Sequence, residues 1–358
     1  MIRILHAADL HLDSPFAAMP PQKAKQRRIE QREVLSRLVS VCSERNCDLL
    51  LLAGDLFDSD EIYRETTELL IRLLGSCSAK VFISPGNHDC CSPASVYNTL
   101  SWPENVHIFR SEQFEAVHLD QITVYGAAFT EPHASKLMRG FRAEHNGKPS
   151  VMVLHGELSE RDGLYNSISR ADVAGSGLDY LALGHIHEDN LCRIGTTTVG
   201  NPGCTMGRGF DELGEKGAFY VELSESGCSV QPVPLGAKEY QICRAVIQDD
   251  LAQGIAEAIP QEAGNMIVRL ILTGSCPAPD LAALHQVLDP RFDTLEIIDR
   301  TLPPRTLWEG AGEDSLKGLF LQRLQDLYYK AGDDDRLTVA LAARLGRDLM
   351  EGREVTAE

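Results

Sequence analysis

The chain has 358 residues, 43% hydrophobic and 24% charged, enough for a large domain with one or two smaller pieces. No stretch approaches the roughly 20 apolar residues of a membrane span, and Met1 to His6 run straight into a polar motif, so no anchor or secretory leader is expected and the expected location is cytoplasmic. A formal charge of −18 argues against a broad basic face for nucleic acid, so any DNA affinity must be local to bound cations or borrowed from a partner.

The first 235 residues alternate short apolar runs with helical patterns: IRILHAAD, CDLLLLAGD, KVFISPGNHD, ITVYGAAF, SVMVLHGE, DYLALGHIH and TTTVGNPG. Such brief runs, ending abruptly in polar residues, read as strands covered on both faces. Segments around 23–42 and 62–75 carry helix-period apolar residues, Val34, Leu35, Leu38, Val39 and Cys42 among them. A layered α/β domain over 1–235 follows. Its basic run Lys23, Lys25, Arg27, Arg28, Arg32 and Arg37 is interrupted by Glu30 and Glu33, which favours a solvated helix face over a DNA track. The ten cysteines are scattered without a Cys-x-x-Cys pair and read as reduced structural thiols.

Pro232 to Gly236 separate a smaller unit, 242–300, whose CRAVIQ, DLAQGIAEAI, MIVRLILTG, DLAALHQVL and TLEIID suggest a βαβαβ pattern. After Leu302-Pro303-Pro304, a helical pair is expected over 312–352, with stripes Leu316, Phe320, Leu324, Leu327 and Leu337, Leu341, Leu345, Leu349. Docking of those stripes on the chain's own core is preferred over a partner groove.

Chemistry concentrates at the strand ends. Asp9-Leu10-His11 sets a carboxylate and an imidazole on one side of an extended segment. Gly54 lets the backbone turn so that Asp55 projects over the sheet edge, as a bridging carboxylate would. Gly86-Asn87-His88-Asp89 offers an amide oxygen and an imidazole, His155 closes VMVL, and His185-Ile186-His187 closes YLAL. Open α/β sheets bind ligands at the carboxyl ends of their strands, so these distant groups can converge. Oxygen and nitrogen donors without cysteine suit Mn, Fe, Zn or Mg, and a pair of such ions can clamp the oxygens of an in-line phosphoryl displacement.

The ordered set D-x-H, G-D, G-N-H-[DE], H and G-H-x-H resembles the calcineurin-like metallophosphoesterases. The resemblance implies an αββα sandwich with a small α+β capping domain and C-terminal helices. It also implies a ligand set: Asp9, His11 and His187 on one metal, Asn87, His155 and His185 on the other, and Asp55 between them. His88 would then protonate the leaving oxygen or stabilise charge, with Asp89 orienting its ring. HAADLHLDSPF, LLLLAGDLFDSDEIYRET and GNPGCTMGRGFDELGEKG narrow the resemblance to the SbcD branch of DNA repair nucleases, its YhaO-type members in particular.

That branch implies a Mn-dependent 3′–5′ exonuclease with endonuclease capacity, a cap that confines DNA, and an SbcC-like coiled-coil ATPase partner, since this chain has no phosphate-binding loop of its own. A homodimer is compatible with it. Some members carry a second histidine where this chain has Asp58, which is read as a turn or metal-loop carboxylate, while Arg208 is open as a contact to substrate phosphate. The alternatives are a phosphodiesterase for nucleotides or other small phosphoesters, favoured by the acidic charge, and a metal-binding scaffold subunit of a repair ATPase.

Overall fold

A computed structural model describes residues 1–59, 61–247, 250–261, 263–276, 279–302 and 305–352. Pro303 and Pro304, read above as the break before the terminal helices, lie outside the described residues. The chain divides into two compact units, Met1–Glu239 and Tyr240–Glu358.

In the first unit, β1 (Ile2–Ala7), β2 (Leu49–Leu52), β3 (Lys80–Ile83) and β4 (Val106–Ile108) run parallel in one sheet. A second sheet is built from β5 (Glu115–His118), β6 (Thr123–Gly126) and β7 (Ser150–His155), then β10 (Tyr180–Gly184), β11 (Asn190–Ile194) and β12 (Thr197–Asn201). Between them in sequence, β8 (Glu157–Leu158) and β9 (Ser167–Ile168) form a two-stranded ribbon. The chain then returns to the first sheet as β13 (Gly217–Ser224) and β14 (Gly227–Pro234), giving the order β14-β13-β1-β2-β3-β4. The order of the second sheet is β11-β12-β10-β7-β6-β5.

The unbroken Leu49–Leu52 run shows why these apolar segments are strands. Leu50 and Leu52 face α1 (Pro21–Glu44) and α2 (Arg64–Ser76), while Leu49 and Leu51 face the second sheet. Period-two alternation between two buried faces leaves no position for a polar residue, and burying each leucine is worth about 2 kcal/mol. Proline at the first position of α1 costs nothing there, because that N–H has no helical partner. The helix stops where Asn46 takes a left-handed φ of +49° and Cys47 N bonds back to Cys42 O at 3.0 Å. A third core lies on the far side of the second sheet, where Met152, Leu154, Leu181 and Leu183 pack with Val173 of α4 (Arg170–Ala174), which follows the short α3 (Val96–Thr99). Helices, sheet, sheet and helix thus stack in four layers, the αββα sandwich that the resemblance implied.

The second unit joins β15 (Glu239–Ile247), β16 (Met266–Gly274) and β17 (Thr294–Asp299) in one sheet, interleaved with α5 (Leu251–Ala258) and α6 (Leu281–Leu288). Asp250 and Asp280 cap those helices through their side chains. The helical pair is α7 (Leu316–Lys330) and α8 (Asp333–Met350), but its buried face takes only Phe320 and Leu324 from the first stripe read from the sequence and leaves most of the leucines out. Leu321, Ala340 and Ala343 are buried, with Phe320 and Leu324 packed against them, whereas Leu316, Leu327, Leu341 and Leu349 are exposed. Small residues explain the difference: a Cβ at Gly346 would stand 2.3 Å from the Phe320 ring, so the helices meet closely on their alanine and glycine face and the leucines turn outward. The Leu337 side chain is outside the described residues. Among the described residues no helix is long and apolar enough to cross a membrane, and no disulfide joins any cysteine.

Candidate metal centre

Parallel pairing places the carboxyl ends of β1, β2, β3 and of β7, β10 on one edge of each sheet, and the polar residues just beyond them meet there. The backbone must turn sharply to deliver them. Asp9 (φ +51°), His11 (+44°), Asp55 (+49°) and His185 (+91°) all adopt left-handed conformations, each costing about 1–3 kcal/mol for a residue with a side chain. Cross-strand bonds hold the turns: Asp9 N donates to Gly54 O at 3.1 Å and His11 N to Asp55 O at 2.9 Å. Two glycines are demanded by space. A Cβ at Gly54 would lie 2.3 Å from His155 Nδ1, and one at Gly86 would lie 2.1 Å from Asp55 Oδ1.

The structure brings the seven sequence-derived donors together in two groups. In the first, His11 Nε2 and His187 Nε2 are 3.1 Å apart, with Asp9 Oδ1 3.8 Å from His187 Nε2. In the second, Asn87 Oδ1 is 3.0 Å from His155 Nε2 and 3.1 Å from His185 Nδ1. Asp55 Oδ2 stands between them, 3.8 Å from His11 Nε2 and 3.4 Å from His155 Nε2.

The donors suit cations on two counts. Metal bonds of about 2.1 Å place neighbouring donors about 3.0 Å apart at right angles and about 3.4 Å apart at the tetrahedral angle, and four of the six contacts above, at 3.0 to 3.4 Å, fall in that range. Without a cation the burial is unfavourable: desolvation pushes the Asp9 carboxyl up to about 7 and the His11 and His185 imidazoles down to about 4. Burial also opposes charge on His155, yet the adjacent Asp55 outweighs it and lifts that imidazole to about 9. The same pairing, against the desolvation of its carboxylate, holds Asp55 below the usual range. A divalent ion held by these donors would replace this internal compromise with direct neutralisation.

Outside the donors, two expectations change. Asp89 does not orient His88. Its buried carboxylate is saturated by Leu56 N (2.7 Å), Phe57 N (3.2 Å), Gly86 N (2.8 Å) and the Tyr97 hydroxyl, so it ties the β2 and β3 loops together. His88 is exposed, edge-on to His11, with Nδ1 3.0 Å from the Asp58 carbonyl oxygen. Arg208 faces carboxylates, with Nη1 2.7 Å from Asp58 Oδ1 and Nη2 2.8 Å from Glu212 Oε1. Glu212, 2.7 Å from His187 Nδ1, was missed in the sequence, where its sole signal is the four-residue spacing from Arg208. Asn166, whose Nδ2 donates to His155 O at 2.8 Å, carried no signal at all.

Carboxylates, imidazoles and an amide gathered at the strand ends of an αββα sandwich make up the donor set of a metal-dependent hydrolase. Over residues 2–189 the sequence matches the family described as calcineurin-like phosphoesterase, and the chain belongs to that family. The family uses a dinuclear metal site, and candidate donor groups for one are present here. The chain is 29% identical over 328 residues to the metallophosphoesterase YhaO of Bacillus subtilis, covering 82% of this chain and 77% of that one. It is 26% identical over 123 residues to a subunit of the nuclease SbcCD of the same organism, covering 33% and 30%. To the DNA double-strand break repair protein Mre11 of Saccharolobus solfataricus it is 24% identical over 346 residues, covering 85% and 86%. Among solved structures it is similar to a dimetal phosphatase from Danio rerio, with 10% identity, 65% of this chain and 96% of that one covered, and a TM-score of 0.43.

Proposed function

We propose that this chain is a two-metal phosphodiester hydrolase acting on DNA, a 3′–5′ exonuclease with endonuclease capacity of the SbcD/YhaO type that works with manganese. The observation that carries the hydrolase is the convergence of two donor groups on the shared Asp55 carboxylate. Asp9, His11 and His187 would hold one ion, and Asn87, His155 and His185 the other. Bound at these residues, two divalent ions would supply charge neutralisation at the phosphate oxygens and an activated water for in-line attack.

His88 has the protein's own chemical role. A carbonyl only accepts, so its Nδ1 keeps a proton on Asp58 O and its Nε2 is the atom that exchanges one with the leaving oxygen. DNA as substrate is supported by the names of the SbcCD and Mre11 relatives. A coiled-coil ATPase is the proposed partner, and the outward leucines of α7 and α8 are the proposed contact.

One observation favours a second reading, a phosphodiesterase for small substrates. The groove of about 310 Å³ beside the donors is lined by Asp58, Asp211 and Glu212 against a single arginine, Arg208, so it offers no basic track for a backbone. End-labelled duplex and single-stranded DNA with Mn²⁺, run beside bis-p-nitrophenyl phosphate, separate the two. Wild type is expected to degrade DNA, and His88→Ala to lose about 100-fold on DNA but much less on the small diester, whose nitrophenolate departs without a proton. Cleavage of the small diester alone, even with the ATPase present, would overturn the nuclease.

A further inference from the structure

His11 and His187 each have a carboxylate behind Nδ1, hydrogen-bonded at His187 and in ion-pair contact at His11. Their Nε2 atoms converge to 3.1 Å, while His187 Nδ1 lies 2.7 Å from Glu212 Oε1 and His11 Nδ1 lies 3.0 Å from Asp58 Oδ1, the latter an ion-pair contact rather than an aligned hydrogen bond. Arg208 Nη2 also approaches His187 Nδ1, at 3.2 Å, but the shorter contact is to a carboxylate, which can only accept; that contact and the Asp58 charge behind His11 favour the proton on Nδ1 of both rings and the Nε2 lone pairs toward the donor cluster. With that tautomer the two Nε2 atoms, 3.1 Å apart, share no proton, and a cation between them would relieve the repulsion of their lone pairs.

One guanidinium joins the two braces. Arg208 Nη1 donates to Asp58 Oδ1 at 2.7 Å and Nη2 to Glu212 Oε1 at 2.8 Å, and the Arg208 backbone N donates to Glu212 Oε2 at 2.7 Å. The carboxylates are poorly solvated, the Glu212 side chain being 4% and that of Asp58 17% exposed, so each depends on the shared cation for its charge. Only a planar fork reaches both at once; an ammonium is a point charge and satisfies one.

We propose that Asp58, Arg208 and Glu212 form one ionic clamp that positions His11 and His187, and that it sets the cation affinity of the Asp9, His11, His187 half independently of the other half. They are positioning residues, and Arg208 serves the histidines rather than substrate phosphate. The proposal rests on the reading above that His11 and His187 share an ion.

Calorimetric titration of the metal-free full chain with Mn²⁺, in the absence of substrate, tests it. Wild type is expected to bind in two steps, and Asn87→Ala to weaken one of them. Arg208→Ala and the isosteric Glu212→Gln are each expected to weaken the other step about 10- to 100-fold, with the double variant little worse than either single one. Arg208→Lys, which keeps the charge but not the fork, is expected to recover less than half of the lost affinity on a logarithmic scale. Should Arg208→Ala not fold, Glu212→Gln carries the same comparison. Two steps unchanged within twofold in both Arg208→Ala and Glu212→Gln overturn the clamp alone, as does a change confined to KM for the diester. Absence of Mn²⁺ binding by wild type overturns the metal reading and the clamp with it.

Discussion

His187 and His155 both turn a ring nitrogen into the donor cluster, yet what stands behind each ring differs. Behind His187 is a side-chain carboxylate, itself held by an arginine. Behind His155 is backbone: its Nδ1 contacts Ala53 O at 2.9 Å, so a ring from the second sheet is fixed by the main chain of the first. Charge can be removed from the first support by one substitution. The second can be disturbed only through space, because no mutation deletes a carbonyl. One half of the site is therefore adjustable by its surroundings, and the other inherits its geometry from the packing of the two sheets.

Asp55→Ala removes the one carboxylate common to both halves and carries the largest expected effect. Loss of several kcal/mol of transition-state stabilisation corresponds to about a 10³-fold fall in hydrolysis of bis-p-nitrophenyl phosphate, with both Mn²⁺ steps weakened in the same titration. Retention of one intact step would show that the halves are more separate than the geometry indicates.

Gly54→Ala is aimed first at the backbone-held half, although Gly54 O also accepts from Asp9 N and the residue precedes Asp55. The new Cβ would fall 2.3 Å from His155 Nδ1 at a φ of +86°, so the ring must move and the turn is strained. The expected outcome is about 2 kcal/mol of lost stability in urea and about 100-fold lower activity from a displacement near 1 Å. An unchanged urea midpoint would mean that the sheets can shift to make room.

His6 provides the control, a histidine held by the core with no donor role. It is fully buried on β1, its Nε2 on Leu183 O at 3.0 Å and its Nδ1 on the Tyr180 hydroxyl at 2.8 Å, which defines a neutral tautomer. Burial, partly opposed by the Leu183 carbonyl, lowers its pKa from 6.5 to about 3. Because the unfolded chain accepts a proton that the folded chain refuses, this stability is complete above about 6.5 and is lost as pH falls toward 3. Between pH 7 and 5 the wild type should lose about 2 kcal/mol more than His6→Gln in urea titrations. Parallel losses would refute the assignment.

The donors were legible because each ends a short apolar run that stops abruptly, as Asp55 does after Leu49–Leu52 and His155 after β7. The layers were legible for the same reason, since a run buried on both faces declares its neighbours apolar. What escaped has no such marker. Glu212 follows no strand, and Asp58, which shares Arg208 with it, lies in a loop far away in sequence, so nothing local joins them. Asp89 sits beside His88 in sequence, yet its carboxylate is taken up by three backbone N–H groups and Tyr97. The leucines of α7 and α8 misled because periodicity marks a face without saying that alanines pack closer.

The pairing of β1 carries a consequence for synthesis. Its two neighbours are β2 and β13, and Ile2 is matched with Leu223, made more than two hundred residues later. At about 5–20 residues per second, one edge of β1 waits on the order of 10–40 s for its partner. For that interval an apolar strand lies open on one side, the kind of edge that other chains pair with. Chaperone demand during translation should therefore fall once Gly217–Ser224 has emerged.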